Sequence, residues 1–257
     1  MLRMEHIDKR FQAGTVNESV LFTDFNLTVE EGQFVSVIGS NGSGKTTMLN
    51  LLCGSMAADR GQILLDGMNV TSWPEHRRAG LLGRVFQDPS KGTCPELTLW
   101  ENLSLADQKG KGFGLQRGIN RRRRDEYRSM LEGLHIGLED KLNIPMGNLS
   151  GGQRQAVALL MATMTPLRLL VLDEHTAALD PSASEIVMEL TRRLVEEKKI
   201  TTLMVTHNLR YAVNYGNRLL MMHEGSAVID AADEEKEKLD VNAILATFNA
   251  ISIECGN

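Results

Sequence analysis

The sequence predicts an α/β fold with a parallel sheet, and three observations point to it. Residues 33–39, QFVSVIG, form a short and mostly apolar run of the kind that is buried on both faces of a parallel sheet. A glycine-rich loop and a helical pattern follow directly. Apolar runs recur at 169–172 and 202–205, and each precedes a polar turn and a helical segment. Strands and helices that alternate in this way are typical of α/β domains.

The other elements follow from residue patterns along the chain. Residues 1–31 alternate apolar and polar side chains and are broken by Gly14 and Gly32, which predicts antiparallel strands and hairpins. Residues 46–53 predict the helix after the glycine-rich loop. Residues 96–165 have a helical pattern, and we interpret them as a helical subdomain inserted into the α/β core. Residues 233–238 predict a charged turn and residues 241–251 a short amphipathic helix.

Length and composition limit the classes of protein that the chain can represent. The 257 residues are 42% hydrophobic and 24% charged, which is ordinary for a globular protein and excludes wholesale disorder. The formal net charge of −5 argues against nucleic acid as a partner. Cys53, Cys94 and Cys255 are widely spaced and form no C-x-x-C, which predicts a reducing compartment without a disulfide framework or zinc site.

Two further features of the chain bear on membranes and secretion. The N-terminal residues MLRMEHIDKRF carry charges where a signal peptide needs an apolar stretch, so we do not expect secretion. The longest apolar run lies between Arg154 and Arg168 and is too short for a membrane-spanning helix. Any membrane role is therefore expected to come through a partner.

The glycine-rich loop after the first parallel strand matches G-x-x-x-x-G-K-[ST] in full, and we call residues 39–46 the phosphate loop. Glycines at these positions let successive backbone N–H groups turn toward phosphate oxygens, and the helix start adds positive charge. A lysine supplies a point charge, and the hydroxyl that follows it suits Mg²⁺. The loop predicts a site for a nucleoside triphosphate. Its candidate binding residues are Gly39, Ser40, Asn41, Gly42, Ser43, Gly44, Lys45, Thr46 and Thr47.

A second apolar strand ends in two acids, Asp173 and Glu174. A carboxylate at the tip of a parallel strand can hold Mg²⁺ through its water shell, and we expect Asp173 to do so. Glu174 is one residue further on, where a carboxylate could accept a proton from an attacking water. The pair predicts hydrolysis as well as binding of the nucleotide.

The segment LSGGQ, residues 149–153, precedes a helical pattern and gives the family resemblance. Ser150 and Gln153 have the S-x-x-Q spacing of a capping box, and two consecutive glycines are costly at a helix start unless something approaches the backbone closely. Together with the phosphate loop and the acid pair, this segment resembles the signature sequence of the ATP-binding cassette (ABC) ATPases. The family's other motifs are matched by Gln87 (Q-loop), Ala177-Ala178-Leu179-Asp180 (D-loop), His207 (switch histidine) and Phe11 (an aromatic that stacks on adenine).

The resemblance implies an architecture and a set of roles. It implies a single ABC ATPase domain over 1–257, with a catalytic core of 1–95 and 166–257 and a helical subdomain of 96–165. It also implies a head-to-tail homodimer in which one copy's signature segment closes on the nucleotide of the other, and ATP and Mg²⁺ as cofactors. The implied catalytic residues are Glu174, His207, Gln87 and Lys45. The implied metal ligands are Thr46, Gln87 and Asp173, and the ATP contacts are Phe11, the phosphate loop with Thr47, Ser150, Gly151, Gly152, Gln153 and Asp180.

At a finer level, residues 87–95 and 173–181 resemble a bacterial subgroup that accompanies proposed importers of aromatic amino acids such as tryptophan or tyrosine. This resemblance implies an energy-coupling ATPase on the inner face of the cell membrane. Its implied partners are integral-membrane permease subunits and an extracytoplasmic substrate-binding protein. The alternative is a soluble cassette ATPase that drives assembly or remodelling, of the iron–sulfur assembly type.

Two smaller signals remain open. His175 stands where many members of the family have proline, and we expect it to be a solvent-facing loop residue. Arg117 and the four arginines at 121–124 form a positive patch in an acidic chain. This patch is either a solvated helix face or a contact surface for acidic lipid headgroups or a permease segment.

Overall fold

The computed structural model describes residues 1–110 and 119–254, so Arg117 and Cys255 lie outside the described residues. The strands are β1 (Leu2–Phe11), β2 (Ser19–Val29), β3 (Phe34–Gly39), β4 (Arg60–Leu65), β5 (Met68–Asn69), β6 (Leu82–Val85), β7 (Leu169–Asp173), β8 (Thr202–Val205), β9 (Arg218–His223) and β10 (Ser226–Ala232). The helices are α1 (Lys45–Cys53), α2 (Glu75–Arg78), α3 (Leu99–Ala106), α4 (Arg124–Glu132), α5 (Gly151–Thr163), α6 (Pro181–Lys198), α7 (Leu209–Asn214), α8 (Glu234–Glu237) and α9 (Val241–Glu254).

The chain forms two compact units. The first unit comprises Met1–Leu52, Met56–Thr71 and Thr201–Asn257, and the second comprises Cys53–Ser55 and Ser72–Ile200. Each unit carries its own share of the predicted functional residues, as described below. The predicted bounds of the helical subdomain, 96–165, stay a prediction.

The first unit contains an antiparallel sheet in the order β2-β1-β4-β5, which confirms the hairpin prediction for the N-terminal residues. Its other strands run in the order β10-β9-β3-β8, and β3 is parallel to both β8 and β9. Ile38, Leu219, Met221 and Ile244 form a buried cluster in this unit, so α9 packs through Ile244. The β9–β10 hairpin was not predicted, although the apolar run 219–222 could have indicated it.

The second unit contains the parallel pair β6–β7, in which Val85 lies opposite Leu172. The described residues between 96 and 165 form helices, short 3₁₀ turns and one isolated bridge from Thr98 to Pro145, with no strand. This agrees with the predicted helical character of the segment. No helix within the described ranges is long and apolar enough to cross a membrane.

Candidate functional site

The phosphate loop has a backbone that only glycine fits at two places. Gly39 has φ +154°, and a Cβ built on it would lie 2.3 Å from the Met222 carbonyl oxygen. Gly44 has φ +105°, and its Cβ would lie 2.9 Å from the Phe22 ring. Since such contacts are too short for carbon, a side chain at either position would force neighbouring atoms to move. The loop is therefore shaped by close approach of the backbone to the surrounding fold.

Lys45 begins α1 and directs its ammonium into this loop. Its Nζ donates to the carbonyl oxygens of Gly39 and Ser40, both at 2.8 Å, and to Ser43 Oγ at 3.3 Å. The first turn of α1 also leaves backbone N–H groups without intrahelical acceptors. Thr46, the next residue, is exposed. A lysine, helix N–H groups and an exposed hydroxyl are the donor set that a Mg²⁺-bound polyphosphate requires, so the residues present fit ATP.

The first unit brings His207 to the same sheet edge as the phosphate loop. Strands β3 and β8 are parallel with Val37 opposite Val205, and Thr206 donates its N–H to the Val37 carbonyl at 3.1 Å. His207 and Gly39 each lie two residues beyond this pair, so both stand at the carboxyl ends of adjacent strands. His207 is exposed. Phe11 ends β1 half-buried, with the Lys9 ammonium 5.7 Å from its ring centre.

The second unit brings Gln87 and the acid pair to one sheet edge. Strands β6 and β7 are parallel, with Val85 opposite Leu172. Asp173 therefore ends β7 at the same edge where Glu174 and the exposed Gln87 follow the two strands. Glu174 has φ +50°, a left-handed conformation that is unfavourable for a glutamate. Backbone strain of this kind clusters at functional sites, where the surrounding structure maintains it.

Arg84 is a functional neighbour that the sequence analysis missed. Its Nη2 donates to Asp173 Oδ2 at 2.8 Å, and both side chains are largely buried. The signal was present in the sequence, because a charged residue inside an apolar strand needs a partner. Asp173 is therefore a carboxylate with an oxygen already bound to a guanidinium.

The structure corrects the prediction for His175, which is buried and not solvent-facing. Only 2% of the residue is exposed. Thr191 donates its hydroxyl to the Val187 carbonyl, so its oxygen accepts from His175 Nε2 at 3.1 Å. Burial lowers the pKa of His175 to about 4, and the ring is neutral at physiological pH. The prediction failed because the turn after Glu174 directs this side chain toward α6.

The signature segment starts α5 as the S-x-x-Q spacing predicts. Gln153 donates its N–H to Ser150 Oγ at 3.2 Å, and Ser150 donates its N–H to Gln153 Oε1 at 3.3 Å, which completes a capping box. The two glycines between them differ. A Cβ on Gly152 would lie 2.7 Å from the Ala183 Cβ, whereas a Cβ on the exposed Gly151 would meet Leu179 Cδ2 at 3.4 Å, an ordinary contact. Packing within the chain requires Gly152 but not Gly151.

Asp180, the acid of the predicted D-loop, has a structural role in this chain. Its Oδ1 accepts the N–H of Ala183 at 3.0 Å and caps α6, with Pro181 as the first helical residue. An N-cap of this kind is readable from the sequence Asp-Pro before a helix.

The arginines at 121–124 have different surroundings. Arg121 and Arg122 are exposed. Arg123 pairs with the buried Asp107 and with Glu126, and Arg124 places its guanidinium 4.5 Å from the Trp100 ring centre. Two of the four arginines therefore stabilise the fold of this segment.

Comparison with known proteins identifies the family. Residues 22–177 match the family model described as ABC transporter. The chain is 46% identical over 248 residues to the tyrosine transport ATP-binding protein of Clostridioides difficile (strain R20291), a match that covers 96% of this chain and 98% of that protein. It is 30% identical over 249 residues to the spermidine/putrescine import ATP-binding protein PotA of Haemophilus influenzae (strain ATCC 51907), covering 96% of this chain and 62% of that relative's length. A solved dimeric ATP-binding cassette with ADP and Pi superposes with a TM-score of 0.75 at 28% identity, over 90% of this chain and 98% of the other.

The family match covers more than half of the chain and contains the phosphate loop, the acid pair and the signature segment. The resemblance and the α/β P-loop fold predicted from the sequence are confirmed, and the cofactors are ATP and Mg²⁺. The chain belongs to the ABC transporter family and is an ATP-binding cassette ATPase.

Proposed function

We propose that this chain is the ATP-hydrolysing subunit of a bacterial importer whose substrate is an aromatic amino acid. The observation that carries the proposal is the 46% identity to a tyrosine transport ATP-binding protein over 98% of that protein's length. A phosphate loop alone would support only nucleotide binding. Similarity along the whole length supports a common task, because surfaces outside the ATP site are then alike as well. No observation favours an assembly ATPase of the iron–sulfur type.

In this proposal the phosphate loop binds the triphosphate of ATP. Lys45 moves its Nζ from the loop carbonyls to phosphate oxygens, and the N–H groups of residues 42–47 donate to the same phosphates. Ser40 and Asn41 line the loop, and Phe11 stacks on the adenine. Mg²⁺, when bound, supplies positive charge at the phosphate oxygens, and the Thr46 hydroxyl, Gln87 and Asp173 hold it.

The two residues of the acid pair have different roles in hydrolysis. Asp173 holds the metal's water shell, while Glu174 accepts the proton of the attacking water. His207 donates a hydrogen bond to the γ-phosphate, and Gln87 is a ligand of the metal. Glu174 is the residue whose loss separates binding from turnover, because it makes no contact that ground-state binding needs.

The working form in this proposal is a head-to-tail homodimer. The signature residues Ser150, Gly151, Gly152 and Gln153, with Asp180, contact the nucleotide on the partner's phosphate loop. Two observations support it. A similar cassette is dimeric with ADP and Pi bound. Gly151 is exposed although packing within the chain leaves room for a side chain there, as expected where a partner approaches the backbone.

The dimer is tested with mixed heterodimers of tagged chains. One chain carries Lys45→Ala and the other Gly151→Asp, so both defects fall on one composite site and the second site stays intact. We expect this pair to dimerise with ATP better than a wild-type chain paired with a chain that carries both substitutions, in which both sites are damaged. Size-exclusion chromatography at low protein concentration measures the difference. Equal dimerisation of the two arrangements would contradict the composite site.

Gly152→Asp is the matched control for this experiment. Its side chain would collide with Ala183 in the same chain, so we expect lower thermal stability even without ATP. Gly151→Asp should unfold within a few degrees of the wild type. This contrast separates a defect at the interface from a defect of folding.

The partners in this proposal are permease subunits in the cell membrane, with the cassette bound peripherally at their cytoplasmic side and an extracytoplasmic substrate-binding protein beyond them. Nucleic acid is not a partner. The test is detergent extraction of a tagged chain from membranes, followed by identification of the subunits that co-purify. Cells that express this complex should take up labelled tyrosine or tryptophan, and Glu174→Gln should abolish the uptake. Spermidine is the control substrate, and spermidine uptake without amino-acid uptake would overturn the proposed substrate class.

A further inference from the structure

Arg84 is the central residue of a small cluster in the second unit. It lies in β6 opposite Val171 of β7, and its Nη2 is 2.8 Å from Asp173 Oδ2. The side chains are 14% and 17% exposed, so water screens the pair less than it screens a surface ion pair. Arg84 lies opposite Val171, and Asp173 is two residues further along β7 on the same face of the sheet. The pairing is therefore built into the β6–β7 ladder.

The Arg84 guanidinium also stacks on an aromatic ring. It lies 4.7 Å from the centre of the Phe86 ring, and the Phe86 carbonyl accepts from Gln155 Nε2 at 2.9 Å. Gln155 is fully buried in α5. The hydrogen bond fixes the Phe86 backbone, and stacking on the Phe86 ring limits where the guanidinium can go. Arg84 thus keeps its charge beside Asp173 without depending on the carboxylate alone.

On one side, Arg84 faces a cavity that is lined by lysines. Arg84 lines a cavity of about 390 Å³ together with Lys91 and Lys109, and the described residues that line this cavity include no aspartate or glutamate. Lys109 is largely buried, and its Nζ donates to the Leu82 carbonyl. Among the described residues, this side of Arg84 therefore has lysine side chains and no carboxylate.

We propose that Arg84 is a positioning residue that offsets the charge of Asp173 and so weakens the binding of divalent metal to this chain in the absence of nucleotide. A cation already on the carboxylate reduces the attraction for a second cation. Among the described residues, no three histidine, cysteine, aspartate or glutamate side chains cluster in a way that could hold a metal. This inference rests on the proposed role of Asp173 as a metal ligand.

The test uses Mn²⁺ as the probe, without nucleotide, and measures free Mn²⁺ by electron paramagnetic resonance. We expect Arg84→Met to lower the Kd for Mn²⁺ by about tenfold, because one neighbouring positive charge is removed. Arg84→Lys, which keeps the charge, should bind as the wild type does. The double variant Arg84→Met/Asp173→Asn should return to weak binding. Unchanged or weaker Mn²⁺ binding by Arg84→Met would overturn the inference.

The experiment includes a matched control and a second neutral variant at Arg84. Arg128→Met removes an arginine from its exposed pair with Asp140 in the same unit, and should leave the Kd unchanged. If thermal unfolding shows that Arg84→Met does not fold, Arg84→Gln takes its place. Its amide can still donate to Asp173 without a charge, and the same tenfold change is expected. An unchanged Kd for Arg84→Gln would also overturn the inference.

The proposed function is tested separately with Asp173→Asn. If Asp173 holds the metal, this variant should lose the dependence of ATP binding on Mg²⁺, measured with a fluorescent ATP analogue in Mg²⁺ and in EDTA. If that dependence persists, the proposed role of Asp173 fails. If it is lost while Arg84→Met leaves nucleotide-free Mn²⁺ binding unchanged, only the role of Arg84 fails.

Discussion

Lys45 in the phosphate loop and the side chains of the carboxylate segment, residues 173–175, make hydrogen bonds of very different sequence range. Lys45 donates to oxygen atoms of Gly39, Ser40 and Ser43, which are two to six residues away. Asp173 binds a guanidinium 89 residues away, and His175 contacts Thr191 on another element. The lysine contacts close within the loop, so the loop can be recognised from a short motif, although Gly225 also donates its N–H to the Ser43 carbonyl at 3.0 Å. A carboxylate that depends on distant partners needs the folded chain to define its properties.

The largest expected effect distinguishes the carboxylate segment, which is needed for hydrolysis, from the phosphate loop, which is needed for ATP binding. Glu174→Gln should lower ATP hydrolysis by about 10²–10⁴-fold while ATP affinity stays close to that of the parent, because the base is lost and the phosphate contacts remain. Lys45→Ala should lose binding instead. Single-turnover hydrolysis and equilibrium binding of a fluorescent ATP analogue measure the two effects. Hydrolysis by Glu174→Gln at the parent rate would show that this carboxylate is not the base.

The second prediction tests how local the phosphate loop is. Gly39→Ala should destabilise the chain by about 3 kcal/mol, because its Cβ would overlap the Met222 carbonyl and its φ is positive. Gly42→Ala is the control, since φ is +82° there but nothing lies within 4 Å of the added carbon. It should cost about 1 kcal/mol. Urea unfolding measures both, and equal losses would mean that backbone strain alone requires these glycines.

The third prediction concerns another distant pair in the second unit. Arg123→Gln should destabilise the chain by about 2 kcal/mol, because Asp107, which is 4% exposed, loses the guanidinium that offsets its charge. Tyr127 also donates to Asp107, at 3.1 Å, and limits the loss. Arg121→Gln/Arg122→Gln changes exposed residues and should stay within about 0.5 kcal/mol. Similar losses in urea unfolding would contradict the structural role of Arg123.

The smallest expected effect is a pH dependence that arises from His175. Its pKa is about 4 in the folded chain and close to 6.5 when unfolded, so between these values the unfolded chain binds the proton and the folded chain does not. Stability is therefore lost as pH falls through this window, by about 1.3 kcal/mol between pH 7.5 and 5.5. Urea unfolding at the two pH values should show a smaller loss in His175→Gln. The exposed His76→Gln should behave as the wild type, and an unchanged loss in His175→Gln would refute the assignment.

Much of the fold and of the site followed from local pattern. The apolar runs predicted β3, β7 and β8, the S-x-x-Q spacing predicted the start of α5, and the phosphate loop was complete as a motif. These predictions succeeded because hydrogen bonds of turns and caps close within a few residues. The strand β6 was not predicted, so only the structure shows that Gln87 and Asp173 stand at the ends of adjacent parallel strands.

The sequence by itself determined which residues form the loop, the acid pair and the signature segment, since each is encoded in consecutive residues with fixed backbone preferences. Only the tertiary structure decided that His175 is buried, that Arg84 pairs with Asp173, and that Gly152 but not Gly151 is required by packing. Burial, ion pairing and close packing depend on which distant elements come together. The identity of a residue and its immediate neighbours does not contain that information.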